Sequence, residues 1–304
     1  MKKICCLLGL CLILTFSYGC NQTQQIKSDS HLPSVNTEVE SSKTIQPIQL
    51  DEKSLLPGIE KIIKRGTLRV AMVNIDVDGF CETQEDGSLT GIDAQLAKDI
   101  ANSMGVSLTI NRESDSWDKL TELLANDEVD LVISTYSLTT TRATSVKISN
   151  PYLTSRFGVM VNKQELVKNK IEKNPIDYMQ NNEIKIAAIR GSSHVNLASE
   201  FFPKAKIVEM DSYKDMYTAV RNGDVFGYIC GELRFLCDYN EDAELSLYTK
   251  VFVFSDALEK YCVGVSPDNT DLLNFVNAYI DSSKEITVKD YEDTLKNESK
   301  KDGK

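Results

Sequence analysis

Residues 129–152 read VDLVISTYSLTTTRATSVKISNPY. The stretch opens on a short apolar run, Val129 to Ile133, broken only by Asp130. An apolar run bounded by polar residues predicts a strand buried on both faces. Hydroxyls then crowd in at Ser134, Thr135, Ser137, Thr139, Thr140 and Thr141 around a single cation, Arg142. A guanidinium presents a planar fork of donors that fits a carboxylate two bonds at a time. Neighbouring hydroxyls and backbone N–H groups can bond the same anion. The pattern predicts a small-anion grip at the carboxyl end of a strand, where open α/β sheets bind ligands. The plainer reading is a Ser/Thr-rich loop with a solvated arginine.

Around this stretch the chain has 304 residues, room for two domains, with 41% apolar residues and a net charge of −11. That charge argues against nucleic acid or an anionic membrane surface as partner. A small ligand is unaffected, because local charge decides its binding. Met1 to Cys20 reads as an export signal. Lys2 and Lys3 precede an apolar run, Ile4 to Phe16, too short to span a bilayer. The closing Ser17-Tyr18-Gly19-Cys20 resembles a bacterial lipobox, in which the cysteine carries lipid; Ser17 departs from the usual leucine. Plain secretion with an incidental Cys20 is the alternative. Residues 21–55 form a polar stretch that cannot bury a core and reads as a disordered tether.

From Leu56 onward strands and helices alternate. Leu68 to Val73 reads as a strand, and Asp86-Gly87 as a turn. Asp93 is a candidate N-cap for a helix whose stripe is Leu96, Ala97, Ile100, Ala101 and Met104. Val106 to Ile110 reads as a strand, and Ser116 as the cap of a helix carrying Trp117, Leu120, Leu123 and Leu124. After the Val129 strand, Arg156 to Asn162 is extended. A second block repeats the alternation: strands at 184–189, 207–210 and 225–229, helices after Ser193, at 213–222 and at 232–239. Two further extended runs, 251–255 and 261–265, lead to an amphipathic helix at 268–283. Alternation in two blocks predicts an α/β fold of two lobes with mainly parallel sheets flanked by helices.

Six segments in this order, GTLRVAMV (66–73), LTGIDAQLAKDIANSMGV (89–106), SWDKLTELLANDEVDLVISTYSLTTTRA (116–143), ISNPYLTSRFGVMV (148–161), IKIAAIRGSS (184–193) and RNGDVFGYI (221–229), resemble extracellular solute-binding proteins of family 3. These are the substrate-binding proteins of bacterial ABC importers for polar amino acids. The resemblance implies a type II periplasmic-binding-protein fold with the ligand cleft between lobes. It implies a first lobe at 56–157, a second at 158–254, a return to the first at 255–298, and a tail at 299–304. It also implies a monomer that uses no cofactor or metal and passes a small ligand to a membrane-embedded ABC permease. Its location would be extracytoplasmic, anchored by lipid at Cys20.

Site residues follow from the same resemblance, position by position. Arg142 matches the arginine that holds the ligand carboxylate, and Ser137 and Thr139 match its hydroxyl neighbours. Thr135 matches a position facing the ligand. Trp117 falls where an apolar or aromatic residue meets the ligand side chain; the other reading makes it a core tryptophan. Ser192 and Ser193 open the second-lobe helix, where free N–H groups and the helix dipole favour an anion. Phe80 remains from the aromatic run after the first strand, and Asn74 stands where many relatives have an acid. One departure is larger. The aspartate that holds the ligand ammonium is replaced by Gly231, and the nearest acid is Glu232, which fits equally a helix start.

Cys81, Cys230, Cys237 and Cys262 remain in the mature chain. On the lobe division that the resemblance implies, pairing Cys81 with Cys262 and Cys230 with Cys237 leaves the hinge free. Free buried thiols are the alternative. His31 and His194 are the only histidines, and no Cys/His cluster has metal spacing. Three functions compete: an importer's binding protein, a ligand-sensing domain acting through a partner, and an enzyme on the same fold, like cyclohexadienyl dehydratase. The enzyme needs a buried general acid in the cleft, for which Glu232 is the candidate.

Overall fold

A computed structural model describes residues 54–302. The export signal, Cys20 and nearly all of the tether lie outside the described residues.

Helix α1 (Pro57–Arg65) starts on a proline, whose missing N–H is no loss in a first turn, and stops at Gly66 with φ 74°. Strand β1 (Thr67–Ala71) follows, then the small hairpin β2 (Glu82–Thr83) and β3 (Leu89–Thr90) around the expected Asp86-Gly87 turn. Next come α2 (Ile92–Ser103), β4 (Ser107–Asn111), α3 (Trp117–Ala125), β5 (Leu131–Val132), α4 (Thr140–Ala143) and β6 (Lys147–Asn162). Ser116 caps α3 as its position predicts, accepting the Lys119 N–H. Asp93 does not cap α2. The cap position is Gly91, and Asp93 lies inside the first turn, fully buried. It accepts the Thr135 N–H and the Tyr152 hydroxyl, each at 2.6 Å. Burial outweighs both bonds and pushes its carboxyl pKa up to about 7.

The second block contains α5 (Lys163–Lys168), α6 (Ile176–Asn181), β7 (Lys185–Ile189), α7 (Ser193–Phe201), β8 (Lys206–Met210), α8 (Tyr213–Asn222), β9 (Gly227–Gly231), α9 (Glu232–Glu241) and α10 (Leu245–Tyr248). Helix α8 ends at Gly223, φ 79°, as its sequence predicts. The two extended runs at 251–255 and 261–265 are one strand, β10 (Thr249–Val265), whose pairing with β6 slips between Val253 and Leu258. Helices α11 (Thr270–Ser282) and α12 (Val288–Asp302) close the described chain.

The strand order is β4-β1-β5-β10-β6-β9-β7-β8. β1 runs parallel to β4 and β5, and β7 runs parallel to β8 and β9. Between these parallel halves β6 and β10 pair antiparallel along most of their length. The fold is therefore α/β and two-lobed, with two long strands common to both lobes. The loops that follow β1, β5, β7 and β9 all emerge at carboxyl ends of strands, the side on which such sheets hold ligands. Apolar residues from both blocks fill the core, including Leu68, Val70, Leu131, Ile133, Met160 and Tyr228, all essentially without solvent contact.

Candidate functional site

Those four loops, with β10, line a small cavity that is partly open to solvent.

One end is built from the loop after β5. Arg142 sits in the single turn of α4, which Thr139 caps by accepting the Arg142 N–H at 3.1 Å. Its guanidinium packs over the Tyr136 ring at 4.2 Å and is only 5% exposed. Nη1 donates to the Ser137 carbonyl at 2.9 Å, the one protein acceptor it meets among the described residues. The residue borders the cavity. Burial works against its charge and lowers its pKa, while Tyr136, Asp118 and Glu259 oppose that. Thr135, on the same loop, has φ 43°, an uncommon conformation for a β-branched residue. Asp93 holds it there through the Thr135 N–H. Trp117 borders the cavity and donates from Nε1 to the Ser134 carbonyl at 2.6 Å, so the readings of cleft wall and core residue both hold. Phe80 lines the opposite wall, with ring centroids 5.4 Å from Tyr261 and 4.9 Å from Tyr291.

The other end is built from residues far apart in sequence. Glu259, on β10, is fully buried and lines the cavity. Its Oε1 accepts from Ser137 Oγ at 3.0 Å and pairs with His194 Nε2 at 2.9 Å; its Oε2 accepts from Tyr261 at 2.9 Å. His194 is on the first turn of α7. Burial disfavours its positive charge, but the adjacent Cys230 and Glu259 outweigh burial and raise the imidazole pKa to about 10. Ser192, not Ser193, caps α7 by accepting the His194 N–H, and both serines line the cavity.

Several contacts tie the two lobes across this cavity. The Asp118 N–H donates to the Gly191 carbonyl at 3.2 Å. Arg234 Nη1 donates to Asp78 at 2.7 Å, and the Tyr291 hydroxyl reaches Asp78 O at 3.2 Å and Cys237 Sγ at 2.7 Å. Burial lifts the Asp78 pKa to about 6 in spite of Arg234. The lobes stand closed on one another.

Three candidates from the sequence lie outside the cavity lining. Asn74 is exposed past the end of β1, its N–H donating to the Ser114 carbonyl. Thr139 spends its hydroxyl on the α4 cap. Glu232 turns away and pairs with Arg156, Oε2 to Nη2 at 2.7 Å, with their side chains 15% and 50% exposed. The cysteine pairing is corrected as well, since all four thiols are free and buried. Cys81 lies 3.5 Å from Met72 Sδ, Cys237 contacts Tyr291, Cys262 donates to the Lys260 carbonyl, and Cys230 lies 4.0 Å from His194 Nδ1. Sequence reading missed Glu259, Tyr261, His194, Asp78 and Arg234. None sits in a recognisable motif, and their meeting depends on the crossing of β10 between the lobes.

The sequence profile of the bacterial extracellular solute-binding proteins, family 3, matches residues 68–293, and the chain belongs to that family. The glutamate-binding protein GluB of Corynebacterium glutamicum is 26% identical over 243 residues, covering 74% of this chain and 76% of GluB. A glutamine-binding protein of Geobacillus stearothermophilus is 27% identical over 167 residues, 54% of this chain and 61% of that protein. Among solved structures, the ancestral amino acid-binding protein AncCDT-1, a precursor of cyclohexadienyl dehydratase, is similar with a TM-score of 0.63 and 26% identity. That match covers 79% of this chain and 98% of AncCDT-1.

Proposed function

We propose that this protein binds a free amino acid or a closely related small carboxylate outside the cytoplasm and delivers it to an ABC permease. The observation that carries the reading is Arg142: a buried cation with one protein acceptor among the described residues, lining the cavity between the two lobes. Buried donors without a protein acceptor call for an anion. Trp117, Phe80, Thr135, Ser137, Ser192 and Ser193 form the walls of the cavity. The lobes divide at 56–157 with 255–298 and at 158–254, and hinge on β6 and β10. Relatives named for glutamate and glutamine binding support the amino-acid class.

The reading favours binding over catalysis. Glu232, the acid that the sequence offers as a proton donor, faces Arg156 outside the cavity. Of the two acids that line the cavity, Asp78 is paired with Arg234, and Glu259 is ringed by three donors that hold it as a carboxylate. Lipid at Cys20 would hold the binding domain near its permease. Among the described residues no helix is long and apolar enough to cross a membrane.

A thermal-shift screen of the twenty common L-amino acids against simple carboxylic acids, sugars and metal salts tests the ligand class. A ligand at a hundredfold excess over its Kd stabilises by about 2.7 kcal/mol, which shifts Tm measurably. Shifts with sugars or metals alone would overturn it. For the anchor, Cys20→Ala is expected to leave the protein unprocessed or to release it into the soluble fraction; full processing with membrane retention would exclude lipid at Cys20.

A further inference from the structure

We infer that Glu259 is the group that receives the ligand's α-ammonium, supplied by the interlobe strand β10 into the space that a side chain at position 231 would otherwise fill. The inference rests on the amino-acid reading above and names the residue that makes the ligand a zwitterion.

The first support is the fit between Gly231 and Glu259. A Cβ at 231 would collide with Glu259 Oε2 and lie 2.7 Å from the Tyr261 hydroxyl. The backbone there has φ −65° and ψ 144°, which any residue adopts. Gly231 is therefore not needed for conformational freedom. It is needed for room, and what takes the room is a carboxylate reaching in from another strand. Glu232 cannot substitute, because it points to Arg156.

The second support is the placement of opposite charges. Arg142 Nη1 is bonded to the carbonyl of Ser137, and Glu259 Oε1 is bonded to the hydroxyl of the same residue. A cation and an anion thus flank one serine on the cavity wall. An amino acid likewise carries a carboxylate and an ammonium on one α-carbon.

The third support is unused capacity. A carboxylate offers about four acceptor sites. Two donors address Oε1, but among the described residues only Tyr261 addresses Oε2. Oε2 keeps a lone pair, and Oε2 is the atom that fills the space beside Gly231. His194 and Tyr261 fix the carboxylate's orientation without exhausting it.

The test uses the full chain and a thermal-shift panel of L-amino acids, followed by calorimetry with the strongest hit and its matching 2-hydroxy acid, which lacks the ammonium. Glu259→Gln is expected to weaken the amino acid at least ~30-fold, the loss typical when one partner of a buried charge pair is removed. The 2-hydroxy acid should change by less than about threefold, since its carboxylate still meets Arg142. If both ligands weaken equally, or neither does, Glu259 is not the ammonium site. A Gln oxygen can still accept from His194, and the Tm of Glu259→Gln shows whether it folds; the exchange variant Gly231→Asp with Glu259→Ala is measured beside it. It returns an acid to the same space from β9, and recovery of amino-acid preference over the 2-hydroxy acid is expected. A folded exchange variant that binds the two ligands alike would overturn the assignment. If no amino acid shifts the wild-type protein, the amino-acid reading itself fails, and this one with it.

Discussion

The two ends of the ligand cavity are built in opposite ways. The Arg142 end comes from one short loop: Thr135, Ser137, Thr139 and Arg142 follow a single strand, and the cap, the cation and its carbonyl partner lie within five residues. The Glu259 end draws its contacts from across the chain. Ser137 and Glu259 are 122 positions apart, and His194 and Glu259 are 65 apart. A local loop can be shaped by its own sequence. A convergence of distant strands exists only once both lobes are folded and β10 lies between them. The anion end should therefore behave as a fixed feature of one lobe, and the acid end as a product of closure.

The largest effect is expected where the comparison is starkest. Arg142→Ala should cost about 3–5 kcal/mol of ligand binding, because it leaves a desolvated carboxylate without its partner. Calorimetry with the identified ligand measures it. Unchanged affinity would move the anion grip elsewhere and remove the contrast between the two ends.

The acid end makes a pH-dependent contribution that the anion end does not. The His194 pKa is about 10 when folded, against 6.5 for the free side chain. The folded state thus binds a proton that the unfolded state gives up between these values. Stability from this group is complete below pH 6.5 and is lost as pH rises toward 10. A loss of stability across that window is expected, read as a falling Tm. His194→Gln should flatten the fall. A wild-type Tm that stays level from pH 6.5 to 10 would mean that His194 is neutral beside Glu259.

What the sequence made legible follows the same division. The strand β5 (Leu131–Val132), inside the apolar run Val129 to Ile133, the Ser116 cap and the stop of α8 at Gly223 depend on neighbours within a few residues, and each could be read directly. Arg142 was legible for that reason. Asp93 was misread because its local pattern, a short acid before an apolar stripe, is that of a cap. Its partners, Thr135 and Tyr152, arrive from 42 and 59 positions away. Glu259 gave no signal at all: with Asp256 and Lys260 it is one of three charged residues between two apolar runs that look like separate strands. Only the joined strand β10, with its slipped register opposite β6, brings it to the cavity. The cysteines were misread for a related reason, since thiols in an exported chain suggest pairing while their actual neighbours are Met72, His194, Tyr291 and the Lys260 carbonyl.

A smaller effect separates holding the loop from holding the ligand. Thr139 caps α4 and does not line the cavity. Thr139→Ala should lower stability by about 1 kcal/mol, the usual worth of a Thr cap. Urea titration measures that directly. Affinity should fall far less than in Arg142→Ala, because the Ser137 carbonyl and the Tyr136 ring still position the guanidinium. A drop in affinity as large as that of Arg142→Ala would show that the threonine hydroxyl itself reaches the ligand.

The smallest effect is expected at Glu232, the acid nearest in sequence to the missing aspartate position. Its carboxylate accepts Arg156 Nε at 3.1 Å and Nη2 at 2.7 Å, on a side of α9 away from the cavity. Arg156 is half exposed, so solvent screens the pair and the contact is worth about 0–1 kcal/mol. Glu232→Gln should therefore change Tm little and leave amino-acid affinity within about twofold. Its response should also be the same for an amino acid and for the matching 2-hydroxy acid. Raising the salt concentration should erase whatever stability difference the substitution produces. A selective loss of amino-acid binding in Glu232→Gln would mean that the α9 first turn rotates inward when ligand enters, and that the acid adjacent in sequence serves the ligand after all.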